Sequence, residues 1–162
     1  MESLLASQQE EIQGNWKLPE WYLKYRSKIL ENLPPIETLR NYAIFHDCGK
    51  PFCKTEDSSG KVHFPDHAEV SYRTWLSLYP EDKLVADLIR NDMKLHVIKG
   101  TEIECWCATT HKQIICSLLL SALAEIHSNA KMFGGVESES FKIKWKHLDR
   151  RGKAICKILF ES

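Results

Sequence analysis

From Leu18 to Leu159 the apolar residues of this chain recur three and four positions apart, and stretches in which they alternate with polar residues are almost absent. Such a pattern buries helical stripes rather than sheet faces, so the expected fold is all-α, a compact bundle of six or seven helices. Punctuation marks the helices. Trp21, Tyr22, Leu23, Tyr25, Ile29, Leu30 and Leu33 form one broad face that Pro34-Pro35 ends. A second helix is predicted over Ile36–Cys48, stopped at Gly49 with Pro51 beyond. Residues 52–65 read as a polar loop. Asp66 then reads as an N-cap, with Glu69 completing a capping box for a helix to about Leu78. Glu81 to about Ile98 reads as one amphipathic helix, His111 to about Phe133 as the most apolar and central one, and Trp145 to about Leu159 as the last.

The 162 residues suit one domain over 15–162 with a polar arm over 1–14, and no linker interrupts them. A hydrophobic fraction of 43% with 27% charged residues is a globular composition rather than a disordered one. Basic and acidic residues balance at 22 each, which argues against a surface given over wholly to nucleic acid. The first residues have no basic start and no apolar core, and the longest apolar stretch, Ile114 to Ala124, is short of a membrane span. A soluble, cytoplasmic chain with no membrane partner is therefore expected, its six cysteines reduced and mostly buried.

The chemistry concentrates in His-carboxylate pairs. His46-Asp47 stands at a predicted helix end, where imidazole nitrogen and carboxylate oxygen together suit a borderline divalent ion such as Mn, Fe, Ni, Co or Zn. Alone, the dipeptide is weak evidence and reads as an imidazole on a helix C-terminus beside a solvated carboxylate. The company is what singles it out. His67 opens the next long helix after the polar loop, Asp92 and His96 lie four apart on one helical face, and Glu125 and His127 interrupt the most apolar helix. A carboxylate on a buried helix is costly unless paired or metal-bound. Clusters of this kind on successive helices suggest a site built from facing side chains.

The run His46-Asp47-x-Gly49-Lys50-Pro51, followed by Gly60-x-x-His63-Phe64-x-x-His67-x-x-Val70, resembles the HD-domain superfamily of metal-dependent phosphohydrolases. It looks like the HD domain appended to bacterial tRNA nucleotidyltransferases and like small stand-alone HD proteins. The resemblance covers residues 42 to about 98 and thins afterwards, and it implies an all-α bundle. It also implies that His46 and Asp47 hold a divalent metal (Mn, Fe, Ni, Co, Zn or Mg), with His67, His96 and Glu125 as further ligands. Asp47, Lys50, His67 and His96 would be the catalytic set. Two departures stand out: the chain has no histidine before His46, where the family places its first ligand, and Glu125 takes the place of a closing Asp.

What the resemblance implies is hydrolysis of a phosphomonoester or phosphodiester on a nucleotide or an RNA end. The alternative is a weakened HD fold that binds nucleotide or RNA, or joins a complex, without turnover. Residues 130–162 hold eight basic and four acidic side chains, so this segment carries +4 and the remainder −4. Lys50, Arg150, Arg151 and Lys153 are accordingly the expected phosphate-binding residues, against the plainer reading of the last three as a solvated helix face. His63, His111 and His147 are expected to be structural or superficial, and the five tryptophans mostly core.

Overall fold

Pro19 and Pro35, both extended (φ −74° and −50°), each stand immediately ahead of a helix whose first N–H groups need no internal partner. A computed structural model describes residues 16–161, and the sequence between these punctuation points is helical there almost throughout. The polar arm over 1–14 lies outside the described residues. The helices are α1 Glu20–Glu31, α2 Ile36–Phe45, α3 Lys50–Cys53, α4 His67–Leu78, α5 Lys83–Arg90, α6 Lys94–Val97, α7 Ile103–Thr109, α8 Lys112–Ser128 and α9 Glu139–Glu161. Seven of them have seven residues or more, and the all-α class expected from the periodicity is the class found. Among the described residues no helix is long and apolar enough to cross a membrane.

The described residues divide into two units, 16–33 with 95–161, and 34–94. In the first, α9 packs on α1, α7 and α8. The most apolar helix is α8, and Ile115, Leu119, Leu120 and Leu123 are fully buried there, each stabilising by about 1.5–3 kcal/mol. Gly152 of α9 permits the approach of α1, since a Cβ at that position would lie 2.4 Å from the Trp21 ring. His127, 7% exposed, ties down the entering chain. Its Nδ1 bonds the Leu123 carbonyl at 2.8 Å, its Nε2 accepts the Lys17 N–H at 3.0 Å, and Trp16 stacks on its ring at 4.7 Å. Trp145 donates its indole N–H to the Lys17 carbonyl, completing the clasp.

In the second unit α5 packs on α2 and α4, and α3 on α4. Leu39, Tyr42, Trp75, Val85, Leu88 and Ile89 are among its buried apolar side chains. Asp92 is also buried, 8% exposed, and accepts a 2.5 Å hydrogen bond from the Tyr42 hydroxyl, so its carboxylate is a buried hydrogen-bonding group and not a helix-surface charge.

Several local expectations are corrected. Residues 52–65 are not a plain loop, because α3 is followed by a hairpin in which Thr55 and Glu56 pair with His63 and Val62. Asp57 nucleates its turn by accepting the N–H groups of Ser59 and Lys61, and His63 closes it at 2.8 Å from Asp57. Asp66 makes no side-chain cap; it sits in the left-handed region at φ 51°, and Glu69 pairs instead with Arg73 and Arg90. The helix expected over 81–98 is broken at Asn91-Asp92-Met93, where Asp92 is buried and bonded to the Tyr42 hydroxyl. The helix expected over 111–133 ends at Ser128, a 3₁₀ turn over Ala130–Phe133 follows, and Gly134 takes the left-handed conformation (φ 89°). Trp21, Trp75 and Trp106 are core residues, while Trp16 and Trp145 are half-exposed. The six cysteines stand unpaired, three of them buried, two half-buried and Cys105 exposed.

Candidate functional site

Helix α2 ends at Phe45, His46 caps it in right-handed conformation with its N–H on the Tyr42 carbonyl at 2.9 Å, and the turn over 46–49 carries Asp47 onward. Gly49 serves this turn differently from the expected stop signal. Its φ of −82° is open to any residue, but a Cβ would lie 2.4 Å from the Ser71 backbone nitrogen and 2.7 Å from the Val70 carbonyl carbon. Only glycine lets the turn lie directly against α4. The Gly49 N–H donates to the Ser71 hydroxyl at 2.9 Å, and the Cys48 thiol donates to the Ser71 carbonyl at 3.6 Å. Burial pushes the Cys48 thiol pKa up, so it remains a donor.

This docking brings four of the expected residues together. His67, at the start of α4, places Nε2 3.7 Å from Asp47 Oδ1, and His46 places Nε2 3.4 Å from Asp47 Oδ2. Lys50, one turn along, sets its ammonium 2.6 Å from Asp47 Oδ2 and 5.5 Å above the centre of the Phe64 ring. Both imidazoles are held from behind in the same way: His46 Nδ1 is 3.0 Å from the Ala43 carbonyl and His67 Nδ1 is 3.0 Å from the Phe64 carbonyl. A carbonyl only accepts, so each Nδ1 donates its proton backward and each Nε2 is left facing the carboxylate.

The donor set suits a metal ion in part. Imidazole and carboxylate donors bind zinc-like ions at about 2.0–2.2 Å, which sets neighbouring donors on a tetrahedral ion roughly 3.4 Å apart. The two separations on Asp47 are 3.4 and 3.7 Å, and backbone carbonyls on the rear nitrogens are the usual support of ligating histidines. The imidazoles address opposite oxygens of Asp47, and among the described residues no three His, Cys, Asp or Glu side chains already enclose a common point. His46, Asp47 and His67 are donor types that suit a borderline divalent ion, but as they stand they do not form a closed ligand set.

The remaining expected residues belong to the other unit and are described there. His96 of α6 and Glu125 of α8 face each other, Nε2 to Oε2 at 3.2 Å. Glu125 is not the buried carboxylate expected from its apolar helix, since its side chain is 41% exposed. Arg151 spends its Nε–H on the Ile98 carbonyl at 3.0 Å and is half-buried, whereas Arg150 and Lys153 are exposed. Lys153 lines a cavity of about 570 Å³ between the start of α1 and α9, beside Trp145 and Lys157. His111 and His147 are exposed, as expected.

Sequence reasoning overlooked Ser71 and the reason for Gly49. A signal existed in the spacing, because Ser71 lies four residues beyond His67 and so on the same face of one helix. Comparison of the chain with protein-family models, with curated proteins and with solved structures finds no match to any of them.

Proposed function

We propose that the protein is a metal-dependent phosphohydrolase of the HD type, acting on a phosphomonoester or phosphodiester of a nucleotide or RNA end. One observation carries the reading: two imidazoles, each anchored through Nδ1 to a carbonyl, turn Nε2 toward the two oxygens of one carboxylate. The resemblance of the His46-Asp47 and His63 to Val70 segments to that superfamily supplies the reaction class. When bound, a divalent ion polarises a phosphoryl oxygen and lowers the pKa of its water from about 16 to near 7.

The work of the chain's own residues follows from their positions. Asp47 bridges His46 and His67 and supplies the anionic charge that a cation needs. Lys50, a compact cation at the rim and about one-third exposed, is available to a phosphate oxygen once its hold on Asp47 is relaxed. Arg150, Arg151 and Lys153, within the segment of +4, would draw in an anionic substrate over the short range left by salt screening.

A second reading, nucleotide or RNA binding without turnover, is favoured by the Lys50 ammonium at 2.6 Å from Asp47 Oδ2, where it already neutralises the carboxylate. One experiment separates the two. Purified protein is titrated with Mn²⁺, Ni²⁺ and Zn²⁺ and assayed on a panel of phosphoesters, beside His46→Ala and Asp47→Ala. Metal-dependent hydrolysis lost in both variants supports the hydrolase. Hydrolysis unchanged by both removes this site, and metal-independent, salt-sensitive binding without turnover favours the second reading.

A further inference from the structure

We propose that Ser71 is a positioning residue of the Asp47 site, fixing the separation between the turn that carries His46, Asp47 and Lys50 and the helix that carries His67. The proposal deepens the metal-dependent reading and rests on it for its purpose, although its geometry stands without a metal.

Ser71 is fully buried, a setting in which a hydroxyl is costly unless it is used. Its hydroxyl accepts the Gly49 N–H at 2.9 Å and its carbonyl accepts the Cys48 thiol at 3.6 Å, so both of these oxygens serve the same turn. The approach is close to the limit for two backbones, because a single Cβ on Gly49 would reach 2.4 Å from the Ser71 nitrogen. Ser71 also stands one helical turn after His67, so the group that fixes the turn and the imidazole that meets Asp47 share one stripe of α4. Removing the hydroxyl leaves a buried N–H unsatisfied and frees the turn to move away from the helix. The 3.7 Å between His67 and Asp47 already exceeds the roughly 3.4 Å of a shared ion, so further separation acts directly on the site.

Thr74 supplies the control. Its hydroxyl lies on the same helix and is partly buried, but it donates to the Val70 carbonyl of α4 itself at 2.9 Å and holds nothing outside the helix. Ser71→Ala and Thr74→Ala thus delete similar groups, one with and one without a link to the turn.

The full-length chain is studied metal-free by NMR, following the ring resonances of His46 and His67 and hydrogen exchange at Gly49, and then by titration with Mn²⁺. In Ser71→Ala, Gly49 exchange is expected to rise about tenfold, the loss of one net hydrogen bond, and both imidazole signals to shift. Mn²⁺ affinity is expected to fall about tenfold, as for other groups that orient a ligand. Thr74→Ala is expected to leave all three readouts unchanged. Unmoved ring signals in Ser71→Ala, equal changes in Thr74→Ala, or a Gly49 amide that exchanges freely in the wild type would each overturn the proposal. Failure of the wild type to bind Mn²⁺ counts against the metal-dependent reading, while the ring and amide signals of the metal-free chain still decide the role of Ser71.

Discussion

Replacing Gly49 by alanine sets two physical effects against each other, and the structure says which wins. The backbone there is right-handed helical, φ −82° and ψ −17°, so alanine is the better residue on local grounds, by up to about 1 kcal/mol. Its Cβ, however, would lie 2.4, 2.7 and 2.9 Å from the Ser71 nitrogen, the Val70 carbonyl carbon and the Ser71 Cα. Ordinary contact is about 3.5–4.0 Å, so the overlap is on the order of 1 Å, and all three atoms are helix backbone that cannot rotate aside. The turn must move off α4, which costs about 1–3 kcal/mol for overpacking and about 1 kcal/mol for the lost bond to Ser71. A net destabilisation of about 1–3 kcal/mol is expected, or roughly 0.5–1.5 M in the urea midpoint at a slope of about 2 kcal/mol/M. Gly100 is the internal standard: nothing lies within 4 Å of a Cβ at that position, so Gly100→Ala is expected within about 0.5 kcal/mol of wild type. Urea unfolding of both variants, followed by circular dichroism, measures the difference. A Gly49→Ala protein as stable as the wild type would show that the turn does not lie against α4, and the account of the site would fail with it.

Three further outcomes are expected. Gly152→Ala should destabilise by about 1–3 kcal/mol, because the new Cβ falls 2.4–2.7 Å from the Trp21 indole, and Trp21→Phe in the same chain should recover part of the loss in a double-mutant cycle. Burial holds the His127 pKa below its ordinary value of 6.5, so the unfolded chain takes up this proton first as pH falls. The stability that His127 contributes is complete above about pH 6.5 and declines toward the lowered folded pKa, by up to about 1.4 kcal/mol per pH unit. His127→Gln should flatten that part of a stability-against-pH profile, and an unchanged slope would exclude a neutral, buried imidazole. Asp47→Asn should weaken Mn²⁺ binding by an order of magnitude or more in calorimetric titration, as removal of a charged ligand does, and an unaltered affinity would place the ion elsewhere.

The sequence alone determined the helical class, because a 3.6-residue apolar period and well-spaced prolines are local properties that tertiary packing seldom overrides. It also determined that His46 and Asp47 lie together, since covalent adjacency needs no fold. It pointed to His67, His96 and Glu125, but spacing along a chain cannot say which of these meet. Tertiary structure decided that His67 comes to Asp47 and that His96 comes to Glu125. It exposed Glu125 on a helix whose neighbouring residues are buried, and it broke the helix at Asn91-Asp92-Met93. It gave Gly49 a purpose that its position before a proline concealed: the glycine reads as a stop signal in sequence and acts as clearance for a second backbone in space. The reason is common to all these cases. Periodicity and capping act over a few residues, whereas the Gly49–Ser71 contact joins positions 22 apart, and such contacts are set by how helices pack.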